Sequence, residues 1–214
     1  MVLNSYSKIN LSLLVNSKKK NGLHNIQSFF CLIDLKDKIK IKKIKANKDK
    51  LNFKGSFAKL IGNKDNSIKS LLNLLRKLNL ISSYYSVDVE KKIPVFAGLG
   101  GGTSNAFSVM KYVLRNKPSK KILSIIEKKV GSDLKLFFYK QGFLKSLDSI
   151  TSQKLKQKFF FVLIKAPIRC STRDIYTKVK KYSKRVILNK KKINKRKDFL
   201  NVLSNSRNDL QTVV

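Results

Sequence analysis

Cysteine is scarce in this sequence, which has only Cys31 and Cys170 among its 214 residues. The two lie far apart in the chain and match no spacing of a metal-binding or redox motif. Small secreted domains that depend on disulfides are rich in cysteine, so this class is excluded. A reduced, cytoplasmic setting is therefore expected.

Long apolar runs are also missing. The longest, Phe159–Ile164, is far shorter than the roughly 20 residues that a transmembrane helix needs. The first residues show no basic head followed by an apolar stretch, so no signal peptide is expected. The sequence thus predicts no membrane partner.

Acidic residues are few, since 12 Asp and Glu stand against 48 Lys and Arg, for a formal net charge of +36. A strongly basic chain can bind nucleic acid by releasing counterions from phosphates. However, only 7 of the basic residues are Arg and 41 are Lys. Arginine is the residue that usually forms the two-pronged hydrogen bonds to phosphates and bases. Lys, Asn and Ile share adenine- and thymine-rich codons, so genome composition explains much of the charge. Nucleic-acid binding remains an alternative rather than the leading function, and the charge favours anionic ligands such as nucleotides.

The apolar pattern predicts a mixture of strands and helices. Strands are expected at 5–15, 24–36, 39–44, 84–92 and 158–165, and helices over 68–78, from Thr103 to 114, over about 118–129, and from Ser171–Thr172 onward. This order is typical of an α+β fold and not of a repeated βαβ unit. Gly142 and the serine-rich residues 146–152 predict a boundary between a domain at 1–150 and a second at 151–214. The lysine-rich stretch 178–197 is expected to be a solvated loop.

Glycine is concentrated in one place, the segment Gly98-Leu99-Gly100-Gly101-Gly102-Thr103-Ser104. Glycine lets the backbone approach a ligand closely, and the helix that follows, with Thr103 as its expected N-cap, would present free N–H groups to an anion. The segment therefore predicts a phosphate-binding loop. It is not a P-loop, because no Lys-Ser or Lys-Thr pair closes it, and it lacks the acidic residue of a dinucleotide fingerprint. A plain flexible linker is the alternative, although linkers usually lack a strand and a capped helix on either side.

A series of short segments, in order along the chain, resembles motifs of the GHMP kinases (galactose, homoserine, mevalonate and phosphomevalonate kinases and relatives). The segments are Ser7–Leu11, Gly22–Ser28, Asp65–Asn66, Pro94–Ala106, Gly131–Asp133, Pro167–Tyr176 and Asn208–Leu210. Each is unspecific alone, but their shared order covers nearly the whole chain. The resemblance implies a two-domain α+β fold, with an N-terminal domain like the second domain of ribosomal protein S5 and a ferredoxin-like C-terminal domain. It also implies ATP as co-substrate, with Mg²⁺.

Within this family, the doubled-glycine form of the loop is most similar to kinases that phosphorylate a cytidine diphosphate derivative of methylerythritol in isoprenoid synthesis. The resemblance makes Asp133 the base that accepts the proton of the substrate hydroxyl. It places Lys8 beside Asp133, where its charge would keep the carboxylate ionised and stabilise the transition state. A family member that acts on homoserine or mevalonate remains an alternative.

The resemblance also assigns the residues that bind the two substrates. For ATP these are Asn66, Pro94, Gly98, Leu99, Gly100, Gly101, Gly102, Thr103 and Ser104. Asn66 would read adenine, and Thr103 or Ser104 would contact phosphate or magnesium, with the metal ligand itself left open. For the acceptor they are Asn10, His24, Thr172 and Tyr176.

Two positions depart from the family pattern. Tyr176 would stack on cytosine and His24 would read its edge, but the second stacking aromatic is replaced by Leu23, so stacking would be one-sided. Phe107 stands where the family usually has a small residue.

The end of the chain differs from the family as well. The family pattern continues beyond Asn208–Leu210 to a third glycine-rich loop, whereas this sequence ends at Val214. The second domain is thus expected to be incomplete, and an inactive remnant is a further alternative. A monomer or homodimer is expected.

Overall fold

The computed structural model describes residues 1–20, 22–61, 66–147, 149–152, 158–165, 172–187 and 196–213. These ranges contain the strands β1 (Val2–Asn10), β2 (Leu14–Lys18), β3 (His24–Ile44), β4 (Lys50–Lys54), β5 (Tyr84–Glu90), β6 (Gln141–Ser146) and β7 (Ser149–Ser152). The α-helices are α1 (Ser67–Lys77), α2 (Gly101–Leu114), α3 (Lys120–Val130), α4 (Thr172–Thr177) and α5 (Arg196–Ser204). Short 3₁₀ helices lie at Ala58–Leu60 and Ser132–Phe138.

The chain forms two compact units that are interleaved in sequence. Unit 1 consists of Met1–Lys8, Leu32–Val95 and Leu99–Phe138, and unit 2 of Ile9–Cys31, Phe96–Gly98 and Tyr139–Val214. Because the units are not consecutive, the division of the sequence at residue 150 stays a prediction.

Unit 1 has a sheet with one apolar face. The C-terminal part of β3 pairs antiparallel with β5, which pairs in parallel with β4. In this register Ile39 lies opposite Val89 and Ile41 opposite Val87. All four side chains are fully buried, whereas the intervening lysines of β3 point to solvent, as the two-residue alternation of a strand requires. The buried face packs with α1, α2 and α3 in one core.

The helices of unit 1 follow their sequence signals. In α1, Ile68, Leu71, Leu72 and Leu75 are buried, which is the spacing of one apolar helix face. Asn66 caps this helix, because its Oδ1 accepts a hydrogen bond of 2.8 Å from the N–H of Lys69. Helix α3 begins after Ser119, whose Oγ accepts from the N–H of Ile122. Both predicted helices are confirmed.

Unit 2 is built on the N-terminal part of β3. This part pairs antiparallel with β2 and with β6, and β6 pairs with β7. Its aromatic core joins Phe29, Phe143 and Phe199. The segment near Asp209 is tied to β2, since the carboxylate accepts a 2.8 Å hydrogen bond from the N–H of Val15.

Several predicted element bounds were wrong. The strand expected at 5–15 is broken into β1 and β2, because the N–H groups of Leu11 and Ser12 turn to the carbonyl oxygen of Phe29. The strands expected at 24–36 and 39–44 are one strand, β3. The segment 158–165 has no regular secondary structure.

The lysine-rich stretch 178–197, predicted to be a solvated loop, has part of its backbone hydrogen-bonded to the rest of unit 2. The N–H of Ser183 donates to the carbonyl oxygen of Val15 at 2.8 Å. The amide of Gln27 exchanges two hydrogen bonds with the backbone of Val186. Residues 183–186 are therefore held against β2 and β3, while 188–195 lie outside the described residues. Among the described helices, none has the length and apolar character needed to cross a bilayer.

Candidate active site

The predicted pair of Lys8 and Asp133 is brought together in unit 1. Lys8 lies near the end of the unit 1 part of β1, and Asp133 in the first turn of the 3₁₀ helix Ser132–Phe138. The Nζ of Lys8 is 3.1 Å from the Oδ2 of Asp133, and the side chains are 6% and 31% exposed. A buried ammonium group thus faces a carboxylate that solvent, and so a substrate, can reach.

The glycine loop runs directly beside this pair. The backbone N–H of Lys8 donates to the carbonyl oxygen of Leu99 at 3.0 Å. Gly100 follows in the left-handed conformation with φ of +67°. A Cβ on Gly100 would lie 3.1 Å from the Phe137 ring and 3.4 Å from Cγ of Lys8. Only glycine allows so close an approach of the loop to the Lys8 side chain.

Helix α2 begins at Gly101 and has Gly100 as its N-cap, so the prediction that Thr103 caps the helix was wrong. Thr103 lies inside the first turn, and Gly100 provides no side-chain cap. The first N–H groups of a helix have no partner within the helix. The start of α2 therefore has the geometry of an anion site.

Two of the loop glycines lie close to other side chains of the protein. A Cβ on Gly101 would lie 2.9 Å from Cγ2 of Ile93, and one on Gly102 would lie 3.1 Å from Oγ of Ser67. The glycine run by itself predicts a backbone that can approach a ligand closely and adopt positive φ. At these two positions the protein itself is the close neighbour.

Gly131, between α3 and the 3₁₀ helix that carries Asp133, packs against the first turn of α2. It has φ of +147°, and a Cβ there would lie 2.5 Å from Oγ1 of Thr103. The turn that carries Asp133 thus packs directly on the partly exposed Thr103.

We expect Gly131→Ala to lower the free energy of unfolding by about 1–3 kcal/mol, because it adds a clash with the Thr103 side chain to an unfavourable φ. Urea denaturation measures the change. Gly22→Ala is the matched control, since Gly22 also has a positive φ, of +80°, but open space around its Cβ. Equal losses in the two variants would contradict a role for the Thr103 contact.

Ser104 is buried and has protein partners. Its hydroxyl donates to the carbonyl oxygen of Tyr6 at 2.6 Å and accepts from Oγ of Ser5 at 2.8 Å. These bonds fasten α2 to β1. Pro94, which precedes the loop, is partly exposed, and Gly98, its first residue, is exposed.

A buried polar cluster that the sequence analysis missed lies beneath the loop. It consists of Ser5, Asp37, Lys91, Ser104 and Asn105, hereafter the Asp37 cluster. Lys91 forms an ion pair with Asp37, and its Nζ donates to Oδ1 of Asn105 at 3.1 Å. Burial lowers the pKa of Lys91, an effect that Asp37 opposes.

The sequence does contain a sign of this cluster, since two charged residues continue the inward-facing alternation of the strands. Asp37 precedes Ile39 and Ile41 at the same two-residue spacing, and Lys91 follows Val87 and Val89. Both charges therefore occupy positions on the inward face of their strands. Ionisable residues at inward-facing positions are rarely found without a partner.

In unit 2 the structure brings His24 and Tyr176 together. Their rings stack with centroids 5.2 Å apart and planes at 24°. Leu23 is exposed beside them. Oδ1 of Asn10 accepts a 3.2 Å hydrogen bond from Oγ of Ser28. Thr172 is the first residue of α4, but its side chain lies outside the described residues, as do Asp65, Pro167 and Cys170.

Burial, and secondarily the charge of Lys18, lowers the pKa of His24 below its ordinary value of 6.5. The unfolded chain therefore binds a proton at higher pH than the folded one. We expect stability to be full above pH 6.5 and to fall as the pH drops from there through the folded-state pKa. Because the sequence has one histidine, its Cε1–H signal in an NMR titration reports this pKa without overlap from another imidazole. His24→Gln should remove this fall in stability below pH 6.5, and an unchanged profile would contradict the assignment.

Two cavities among the described residues lie apart from these clusters. One, of about 410 Å³, is lined by residues including Asn79, Ser83, Tyr85 and Val113, and the other, of about 220 Å³, by residues including Met110 and Phe138. In the described part of the chain, no three His, Cys, Asp or Glu side chains group as metal ligands. The candidate site is therefore defined by the Lys8–Asp133 pair and the start of α2.

Comparison with solved structures shows the fold. A crystal structure of 4-(cytidine 5'-diphospho)-2C-methyl-D-erythritol kinase matches with a TM-score of 0.68 over 100% of this chain and 76% of that chain, at 20% sequence identity. Mevalonate pyrophosphate decarboxylase from Streptococcus pyogenes matches with a TM-score of 0.56 over 81% of this chain and 58% of that one, at 14% identity. The chain thus has the α+β fold of the GHMP kinases, as predicted.

Comparison with curated sequences is more specific. No family model matches the chain. The 4-diphosphocytidyl-2-C-methyl-D-erythritol kinase of Pelagibacter ubique is 38% identical over 85% of this chain and 66% of its own length. The enzyme of that name from Francisella philomiragia is 30% identical over 80% of this chain and 63% of its own length. The chain thus spans about two thirds of the length of these relatives. The Ureaplasma parvum kinase of the same name is 30% identical over 99% of this chain and 82% of its own length. On this likeness, the chain belongs to the 4-diphosphocytidyl-2-C-methyl-D-erythritol kinase family.

Proposed function

We propose that this chain transfers the γ-phosphoryl group of ATP to the 2-hydroxyl of 4-diphosphocytidyl-2-C-methyl-D-erythritol. The observation that carries the proposal is the Lys8–Asp133 pair, 3.1 Å apart, beside an uncapped helix N-terminus. The relatives' names supply the substrate. The proposal includes a cytoplasmic location and a monomeric or homodimeric protein.

Asp133 would accept the proton of the acceptor hydroxyl as its oxygen attacks the γ-phosphorus. The bond from phosphorus to the β–γ bridging oxygen then breaks, and ADP leaves. Phosphoryl transfer needs chiefly positioning and charge neutralisation. Lys8, held between Asp133 and the loop, would supply positive charge next to both the carboxylate and the transferred group.

The start of α2 would hold the phosphates through the N–H groups of Gly101, Gly102 and Thr103. The Leu99 carbonyl and Gly100 keep this turn close to Lys8. Asn66 uses its amide oxygen to cap α1, which leaves its NH₂ group to read adenine.

Mg²⁺ fits this site as an ion bound mainly by ATP. It prefers phosphate and water oxygens with one or two protein ligands, and the described residues form no larger ligand cluster. The hydroxyl of Ser104 is buried and bonded to the protein, so Thr103 is the better candidate of the two. When bound, the ion would neutralise charge on the phosphates.

His24 and Tyr176 would bind the cytosine of the acceptor. Their stacked rings offer an aromatic platform, and base stacking on such a face is favourable. A buried His24 with a lowered pKa is neutral at pH 7 and can donate one hydrogen bond and accept another.

The direct test is ADP release by the purified chain with ATP and a panel of alcohols. We expect turnover with the cytidine diphosphate methylerythritol substrate and none above background with homoserine or mevalonate. Turnover only with one of the other alcohols would replace the proposed substrate. Absence of turnover with every acceptor would contradict the proposal.

A further inference from the structure

The Asp37 cluster joins the segments that surround the glycine loop. Ser5 belongs to β1 and Asp37 to β3, while Ser104 and Asn105 belong to the first turns of α2. Lys91 directly follows β5. The five side chains are almost completely buried.

Asp37 is the centre of this cluster. One carboxylate oxygen accepts from the backbone N–H groups of Lys92 and Ile93, at 2.7 and 2.9 Å. The other pairs with Lys91 and accepts from Nδ2 of Asn105 at 2.9 Å. A single side chain thus holds both the segment that enters the loop and the helix that leaves it.

Asn105 extends the network to β1. Its Nδ2 also donates to Oγ of Ser5 at 2.9 Å, and Ser5 donates in turn to Ser104. Within the cluster, the polar groups of Asp37 and Asn105 therefore have partners on three different segments. Hydrogen bonds of this kind fix direction as well as distance.

The cluster lies immediately below Gly101. A Cβ on Gly101 would come within 3.5 Å of Nζ of Lys91 and 2.9 Å of Ile93. Lys91 and Ile93 therefore lie close to the first residue of α2. A buried ion pair is weak support for stability alone, since apolar residues of similar volume often do as well. The hydrogen bonds of Asp37 and Asn105 are directional, so they also give the start of α2 a defined position.

We propose that Asp37, Lys91 and Asn105 are positioning residues that hold Gly100–Thr103 in the geometry that binds the phosphates of ATP. The proposal rests on the function proposed above for that turn. It adds three residues that touch neither substrate nor the reacting atoms.

The test compares Asn105→Ala and Lys91→Met with a control, Arg76→Met. Arg76 also forms an ion pair from a mostly buried position, with Asp49, but it lies at the C-terminal end of α1. We expect both cluster variants to raise the KM for ATP by about tenfold or more, since small misplacements of positioning groups cost up to about 100-fold. The KM for the alcohol should stay within about twofold, and the control should leave both values unchanged.

Amide hydrogen exchange, measured without nucleotide, gives a second readout. We expect exchange at Gly101–Ser104 to accelerate by about tenfold in the cluster variants and not in Arg76→Met. If Lys91→Met does not fold, the variant Asp37→Asn/Lys91→Met, which removes both charges, takes its place.

The outcomes separate the two proposals. Absence of turnover in the wild-type protein would contradict the proposed kinase activity. The hydrogen-exchange data alone would then decide whether the Asp37 cluster positions the turn. Wild-type turnover with an unchanged KM for ATP in the cluster variants would overturn the positioning role. So would equal exchange changes in the cluster variants and the control.

Discussion

Asp133→Asn should lower kcat by about 10²–10⁴-fold, the usual contribution of a general base. The KM for ATP should change little, because the phosphates would be held by the backbone of α2 rather than by Asp133. Asparagine keeps the size of the side chain but cannot accept the proton. Steady-state assays of ADP release with the cytidine diphosphate substrate measure both constants.

A matched control is available on the surface of unit 1. Asp34 forms an ion pair with Lys36 at 2.7 Å, and its side chain is 88% exposed. Asp34→Asn should leave kcat unchanged, because this exposed pair is screened by water. Wild-type kcat in Asp133→Asn would show that another group takes the proton.

Lys8→Met provides an independent check on the same pair. It removes the charge beside Asp133 while keeping an unbranched side chain against Gly100. We expect a loss of kcat comparable to that of Asp133→Asn, and a double variant little worse than either single one, because groups that act as a unit are not additive. Fully multiplicative losses would indicate that the two residues act separately.

Much of this site was predictable because its signals are local in sequence. The glycine run, the amphipathic pattern of α1 and the motif positions of Lys8 and Asp133 all lie within short segments. The structure confirms α1 and α3 and places Lys8 beside Asp133. The chemical roles of these residues remain proposals that the variants above address.

What could not be predicted depends on contacts between distant segments. The start of α2 at Gly101 rather than Thr103 follows from the left-handed Gly100, which packs on Lys8 and Phe137. The need for glycine at 101 comes from Ile93, and at 131 from Thr103. No periodicity within a single element reveals such neighbours.

The segment 158–165 shows a different limit of sequence analysis. Its apolar run favours a strand, and its side chains alternate in exposure: Phe160, Val162 and Ile164 are 98%, 89% and 93% exposed, against 40% for Phe161 and 47% for Leu163. A strand also needs a neighbouring backbone to pair with. None of the described strands forms a ladder with this segment, so propensity alone does not make it a strand.

The largest expected effect on stability is at Asp37. Asp37→Asn leaves the Lys91 ammonium in a site where the side chain is 3% exposed, with no opposing charge in the Asp37 cluster. Removing one partner of a buried ion pair typically costs about 3–5 kcal/mol. The asparagine oxygen can still accept from the N–H groups of Lys92 and Ile93. Its NH₂ group, however, replaces the oxygen that accepts from Asn105, so the loss combines the unpaired charge with a lost hydrogen bond. Urea denaturation gives the free energy of unfolding.

A double-mutant cycle isolates the charge interaction. Asp37→Asn/Lys91→Met removes both charges, and we expect it to be more stable than Asp37→Asn alone, because no buried ammonium remains without a counter-charge. The same cycle with Asp49→Asn and Arg76→Met should give a smaller coupling energy, since the Arg76 side chain is 18% exposed and solvent screens its charge. Additive losses at Asp37 and Lys91 would mean that the ion pair contributes no coupling, and the loop would then be held by the hydrogen bonds of Asn105 and the backbone alone.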